Sequence, residues 1–472
     1  MDAIFRRSSI FSGAFLLVLL ASGAPLAQTG PSDLHRTGRD ILKELVETDT
    51  THSSGNTTLA AERMEARLLA AGYPRPDVVV VGGADRKGNL VARLRGSGGG
   101  KKPILFLAHL DVVEAKKEDW TMDPFVLNEK DGYFYGRGTL DVKGGAAILV
   151  AAFAAWRQRG FVPDRDFILA LTADEEGGTN NGVAWLLANR RDLIDAEFCV
   201  NVDAGGGEIR AGKVVALDVQ AAEKVYVSFS LTVKNPGGHS SLPVKENAIY
   251  RLAAGLQRLA THEFPMRTNE VTRSYFEGMA KLGGASAADM RAVGGATMNE
   301  AAAKRLSAAS PLYNALLRTT CVPTQLEGGH AENALPQSAR ATVNCRMLPD
   351  DDPESVRQAL VRTVADPQID VAQIAAPSRG PASPLTPDVF KAIDAASRET
   401  WGGIPVIPFM ETGATDGLHL RNAGMPVYGV APIAYEVDDV RAHGKDERIV
   451  VRSFYEGIDF MIRLGTTLGG GK

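Results

Sequence analysis

Runs of apolar residues and stretches of strict alternation divide this chain into elements before any chemistry is considered. Residues 33–71 carry a helical spacing of apolar positions, interrupted by a polar segment at 47–56, and the short apolar runs 78–81 and 89–94 read as strands. The run 104–107 has the length of a buried strand and gives out at His109-Leu110-Asp111. An Ala-rich helix is expected from Ala146 to about Arg159, stopped by Gly160, a usual C-cap residue. Residues 167–172 and 198–202 are two further apolar strands with a helix near 183–189 between them. Alternating strands and helices describe an α/β sheet, with its site along the carboxyl edge of the strands.

Near Ala222 the texture changes. Residues 225–233 alternate as a half-buried antiparallel strand should, and a glycine-rich loop, Asn235-Pro-Gly-Gly-His239-Ser-Ser, follows. A helix at 247–260, an alternating strand at 339–347 and a helix at 353–364 complete a compact α+β unit inserted between two parts of the first. Between them lies an Ala-rich, helix-prone addition, 273–317, whose purpose the pattern does not reveal. A Pro-rich linker (377–387) returns to α/β texture: a helix at 389–400, the segment Glu411-Thr-Gly413-Ala-Thr-Asp416, a strand at 426–430 and a closing helix at 453–464. The division is 28–221 and 381–472 for the catalytic α/β domain and 222–380 for the insertion, after an N-terminal segment 1–27.

That first segment has Arg6-Arg7, an apolar run from Ile10 to Leu20, then small residues up to Ala27, the layout of a secretory signal peptide. The mature protein is therefore expected to be exported, periplasmic or secreted, with no stable membrane span, since the run is short for a bilayer. A formal net charge of −4 gives no basic footprint for nucleic acid. The three cysteines, Cys199, Cys321 and Cys345, form no CxxC motif or disulfide framework and are expected as buried thiols.

Chemistry collects where strands end. His109 and Asp111 share one side of a period-two strand; Asp141 sits among glycines; Asp174-Glu175-Glu176 closes the strand at 167–172; Asp203 closes the next; His443 lies in a late polar loop. Singly, each has a plainer reading as a surface histidine, a helix cap or a solvated acidic loop. Together, His109, Asp141, Glu176, Asp203 and His443 suit two divalent metals, zinc foremost with cobalt or manganese as alternatives, and one shared carboxylate. Glu175 is then spare to move a proton.

In HLDVV, GRGTLDVKGG, TADEEGG, the Asp203 strand end, NPGGHSS and AHGKDERI, the chain resembles the co-catalytic zinc peptidases of family M20, over about 430 residues. That family includes aminoacylases, carboxypeptidases and di- and tripeptidases. The resemblance implies His109 and Asp203 on one metal, Glu176 and His443 on the other, Asp141 bridging and Asp111 orienting His109. It implies Glu175 as general base and acid toward a metal-shared water, and a ferredoxin-like insertion acting as lid or dimerisation domain. The Ala-rich addition after Arg273 departs from that family pattern: it is expected to enlarge the lid, which tells against dimerisation through it. His239 would reach over to stabilise the oxyanion, Asn333 and Arg346 would hold substrate and its carboxylate, and Gly413 would belong to a substrate loop. His330 is read as structural; His262 and His419 carry no motif. The expected reaction is hydrolysis of a peptide or N-acyl amino acid with a free C-terminal carboxylate, which Arg346 could pair bidentately. An aminopeptidase is the alternative and would need an acidic pocket that the sequence does not locate. A non-catalytic metal-stabilised binder would lack a ligand or the base, and none is missing. A nucleotide-binding oxidoreductase is excluded because no GxGxxG opens a helix after a strand.

Overall fold

The computed structural model describes residues 32–470; the expected signal segment lies outside them. Its centre is a ten-stranded mixed sheet. Three adjacent strands, Phe167–Thr172, Ile104–His109 and Phe198–Asn201, run parallel in the middle, and every residue of each is buried. Strands covered on both faces need no alternation, which is why these read as continuous apolar runs. Val427–Gly429 joins Phe198–Asn201 in parallel and meets Lys213–Glu223, which also takes Val406–Glu411 in parallel.

One face of the sheet is covered by the helix Lys143–Gln158, flanked by Asp33–Val46, Thr57–Ala70 and Val451–Leu468. Lys143–Gln158 is buried on every side from Lys143 to Trp156, which explains a helix that is apolar all round. It begins three residues before the expected start because Lys143 is itself buried, its Nζ donating to the Thr48 carbonyl at 2.9 Å. Phe106, Phe153, Trp156 and Phe167 form an aromatic knot at its base, with ring centroids 5.2–5.9 Å apart. The opposite face carries Gly182–Asn189 and Gly417–Asn422.

The insertion is a four-stranded antiparallel sheet in the spatial order Thr320–Gly328, Ser338–Met347, Val225–Lys234, Ile369–Gln373. With the helices Ala248–Ala260 and Pro353–Val364 packed on it, this is the ferredoxin-like βαββαβ arrangement. The strand Val225–Lys234 buries every second residue, as its alternation requires.

Two expectations are corrected. Cys321 and Cys345 are not free thiols: they stand opposite each other on neighbouring strands and form a disulfide, while Cys199 is the free buried thiol of the described residues. Their 24-residue separation hid a pairing that only strand register creates. The Ala-rich addition does not enlarge the lid core. Its helices, among them Glu270–Lys281, Glu300–Ala309 and Pro311–Leu317, bury Val271, Phe276 and Leu316 against Ala222, Ile407 and Met410 of the catalytic sheet. No helix among the described residues is long and apolar enough to cross a membrane.

Candidate metal and catalytic site

Strand ends deliver the site. His109 closes the strand Ile104–His109, Asp203 follows Phe198–Asn201, and Glu175 and Glu176 follow Phe167–Thr172. Asp141 enters from the loop ahead of Lys143–Gln158, with the Asp141–Val142 peptide cis, and His443 from a loop late in the chain. His109, Asp141 and Asp203 form one group of converging ligand atoms, and Asp141, Glu176 and His443 a second. The two groups share Asp141. Its Oδ1 lies 3.1 Å from Nε2 of His109, and its Oδ2 3.0 Å from Nε2 of His443. Nε2 of His109 is 3.5 Å from an Asp203 oxygen, and Nε2 of His443 2.9 Å from Oε1 of Glu176. Two imidazoles and three carboxylates in two triads joined through one carboxylate fit a pair of divalent ions.

Charge is concentrated here at an energetic cost that hydrogen bonds alone do not remove. Burial and the Asp203, Asp416 and Glu176 carboxylates push Glu175 up to about 10. Burial with Asp141 and Asp416 nearby pushes Asp203 up to about 7, against the pull of His109. Hydrogen bonding to Asp141 and Glu176 raises His443 to about 10. Burial opposes charge on His109, yet Asp203 and Asp141 hold it well above the ordinary imidazole range. A ligating imidazole is neutral, so metal bound here would take the place of an imidazole proton.

Asp111 does something different from orienting His109 by its carboxylate. Nδ1 of His109 faces the Asp111 backbone carbonyl at 3.0 Å, with the nearer carboxylate oxygen at 3.6 Å. The carboxylate instead accepts the backbone N–H groups of Glu175 and Glu176, at 3.1 and 2.9 Å. It thereby fixes the turn that presents both glutamates.

Three positioning residues were missed from the sequence. Glu447 is fully buried; its Oε1 accepts the amides of Leu140 and Asp141, and its Oε2 takes Arg137 at 2.6 Å and the Gly138 amide at 3.1 Å. It clamps the loop that carries Asp141, and nothing in the sequence distinguishes it from its neighbour Asp446. Asp416 is buried behind the site, accepting Thr172 Oγ1 at 3.1 Å and Asn181 Nδ2 at 2.5 Å. Lys87 binds the buried Asp174 at 2.6 Å.

The lid residues stand apart from this cluster. His239 is exposed on the two-stranded ribbon Gly238–His239/Ala334–Leu335, its Nδ1 2.7 Å from Ser241 Oγ, and the Asn333 carbonyl accepts the Ser240 amide at 3.1 Å. His330 is exposed as well. Arg346 lies on Ser338–Met347 with its guanidinium 4.7 Å above the Tyr226 ring; its Nη1 is buried and unpartnered, and no ion pair holds it among the described residues. The Gly413 amide donates to Glu411 Oε1 at 3.2 Å.

Residues 105–466 match the model of the peptidase family M20/M25/M40. The chain is 30% identical over 380 residues to the N-fatty-acyl-amino acid synthase/hydrolase PM20D1 of Xenopus tropicalis, covering 79% of this chain and 73% of that protein. It is 28% identical over 386 residues to the probable carboxypeptidase S-like 2 of Dictyostelium discoideum, covering 80% and 73%. Its fold matches the M20 family metallo-carboxypeptidase Sso-CP2 of Sulfolobus solfataricus with a TM-score of 0.68 at 18% identity, over 92% of this chain and 99% of that one. The sequence match and the shared sheet with its inserted lid lead to one conclusion: the chain belongs to peptidase family M20/M25/M40 and is a metallopeptidase or amidohydrolase.

Proposed function

We propose that this protein hydrolyses the amide bond of a peptide or N-acyl amino acid bearing a free C-terminal carboxylate, using two divalent metals. The observation that carries this reading is the pair of ligand triads sharing Asp141 with Glu175 beside them. His109 and Asp203 would hold one ion, Glu176 and His443 the other, with Asp141 common to both. When bound, such ions polarise a carbonyl and acidify water. Zinc is the favoured identity, given the mixed nitrogen and oxygen donors. Glu175 takes the proton of the attacking water on its carboxylate and returns it to the leaving nitrogen. Divalent ions held by these residues would place positive charge beside Glu175 and so favour its ionised form. His239 donates toward the oxyanion once the lid closes, a role worth about 3–4 kcal/mol for one donor. Arg346, with a buried unpartnered nitrogen and no anion of its own, is suited to take the substrate carboxylate.

Export is part of the same proposal. The charged–apolar–small N-terminal pattern supports it, and so does the Cys321–Cys345 disulfide, since such bonds persist mainly in oxidising compartments. A homodimer through the lid is supported by the edge strand Thr320–Gly328, which exposes Val322 and Leu326 and leaves one side of its backbone open to pairing.

The test is amine release from peptides and N-acyl amino acids, each paired with its C-terminally amidated form, with zinc, cobalt or manganese supplied. Cleavage confined to the free acids is expected. Cleavage of amidated substrates that demands a free N-terminus would make the protein an aminopeptidase and remove Arg346 from substrate binding.

A further inference from the structure

Beside the first ligand triad lies a cavity of about 520 Å³, within the range of small-ligand sites. Asp141 and Asp203 form part of its wall, so it opens directly onto the reacting centre. Much of the remaining lining is apolar: Leu140, Val142, Phe409, Pro432, Ile433 and, from the Ala-rich addition, Leu312. An apolar sleeve alone would suit an acyl chain. This one does not end apolar.

Asp218, on Lys213–Glu223, and Glu411, at the end of the neighbouring Val406–Glu411, also line it, and no lysine, arginine or histidine does. Asp218 is 3% exposed and its Oδ1 is buried with no hydrogen-bond partner. An unpaired buried carboxylate is costly, so such an atom calls for a partner. The charged groups around it do not provide one. Arg210 is nearby, but its guanidinium is engaged by Glu208, at 2.9 and 3.1 Å. Glu208 and Glu411 add negative charge, and with burial they push the Asp218 carboxyl well above its usual range. Glu411 is partly satisfied by the Thr412 and Gly413 amides, at 2.8 and 3.2 Å, and Arg346 lies within electrostatic reach of it without forming an ion pair.

We infer that this cavity is a substrate subsite for a protonated amine carried on an aliphatic stem, with Asp218 and Glu411 receiving the ammonium and Leu312, Phe409 and Ile433 packing the stem. The inference rests on the amide-hydrolase reading and narrows it: the substrate carries a free ammonium in addition to its carboxylate, so a peptide is favoured over an N-acyl amino acid with a purely hydrocarbon acyl group. The ammonium belongs either to an N-terminal α-amine or to a basic side chain, and the two share this chemistry.

The experiment uses the full chain loaded with metal and two matched pairs of amides of alanine. Alanyl-alanine is compared with isobutyryl-alanine, which replaces an α-ammonium by methyl. 6-Aminohexanoyl-alanine is compared with heptanoyl-alanine, which does the same at the chain end. In one pair the ammonium member is expected to be favoured about 10–100-fold in kcat/KM, the effect of a charge-assisted hydrogen bond; which pair responds identifies the source of the amine. Asp218→Asn, nearly isosteric, and Glu411→Gln, on a separate strand, should each shrink that ratio. Neutral members turned over as well as or better than their ammonium counterparts, or a ratio untouched by both variants, would overturn the inference and leave the hydrolase reading standing. If no amide is cleaved, the hydrolase reading fails by itself. Calorimetric binding of hexylammonium against 1-hexanol then decides the subsite: tighter binding of the amine, weakened by Asp218→Asn, supports it, and equal binding refutes it.

Discussion

Asp141 is reached by both imidazoles, and its own amide is held by Glu447, so this one carboxylate couples the two halves of the site. Its replacement should therefore act on both halves at once. Asp141→Asn is expected to lose both metals, whereas Asp203→Asn should lose one, and metal content per chain after desalting measures the difference. Glu175 belongs to neither triad. Glu175→Ala should nearly abolish turnover with metal content intact, and loss of both together would remove it from the role of base. The pattern of polar residues at strand ends made Asp203 and Glu175 legible in the sequence, because a strand end places one or two side chains where the sheet stops, and Asp141 stood out among glycines. Glu447 and Asp416 were not legible. Each acts on backbone or side chains far away in sequence, and an acid in a polar loop looks the same whether solvated or buried.

At the scale of elements, helix Val451–Leu468 lies on Lys143–Gln158 through a place where no side chain fits. A Cβ at Gly465 would stand 2.1 Å from Cζ2 of Trp156, an indole locked in the aromatic knot. Gly465→Ala should gain helix propensity of up to about 1 kcal/mol, yet overpacking of about 1–3 kcal/mol should win, giving a net loss of stability by denaturant titration. A net gain would mean that the helix can slide. The same scale explains the misread addition. Its composition showed a helix-prone segment, but helix propensity does not state a packing partner, and the chain carries it past the lid to Ile407 and Met410.

Across the whole molecule, Lys224 sits where the catalytic strand Lys213–Glu223 passes into the lid strand Val225–Lys234, and it also binds the helical addition. Its Nζ donates to the Ala315 and Arg318 carbonyls, both at 2.8 Å, at the end of helix Pro311–Leu317. Burial pushes this ammonium down to about 7, against about 10.4 in an unfolded chain. Below pH 7 both states hold the proton and the full penalty of burying charge is present. Between about pH 7 and 10 only the unfolded chain keeps it, so stability should rise with pH by up to about 1.4 kcal/mol per unit from this group. Unfolding of wild type and Lys224→Met across that window checks this: the variant should lose the rise, and parallel curves would show that Lys224 stays charged. What the sequence by itself determined was the polar residues gathered where strands end, the two textures of catalytic sheet and inserted lid, and the family, because period and punctuation are local properties written along the chain. Tertiary structure alone decided the pairing of Cys321 with Cys345, the seat of the Ala-rich helices and the convergence of Asp218 and Glu411 on one cavity. Each depends on strand register or packing between segments far apart in sequence, and hydrophobic pattern carries no label for which distant surface it will meet.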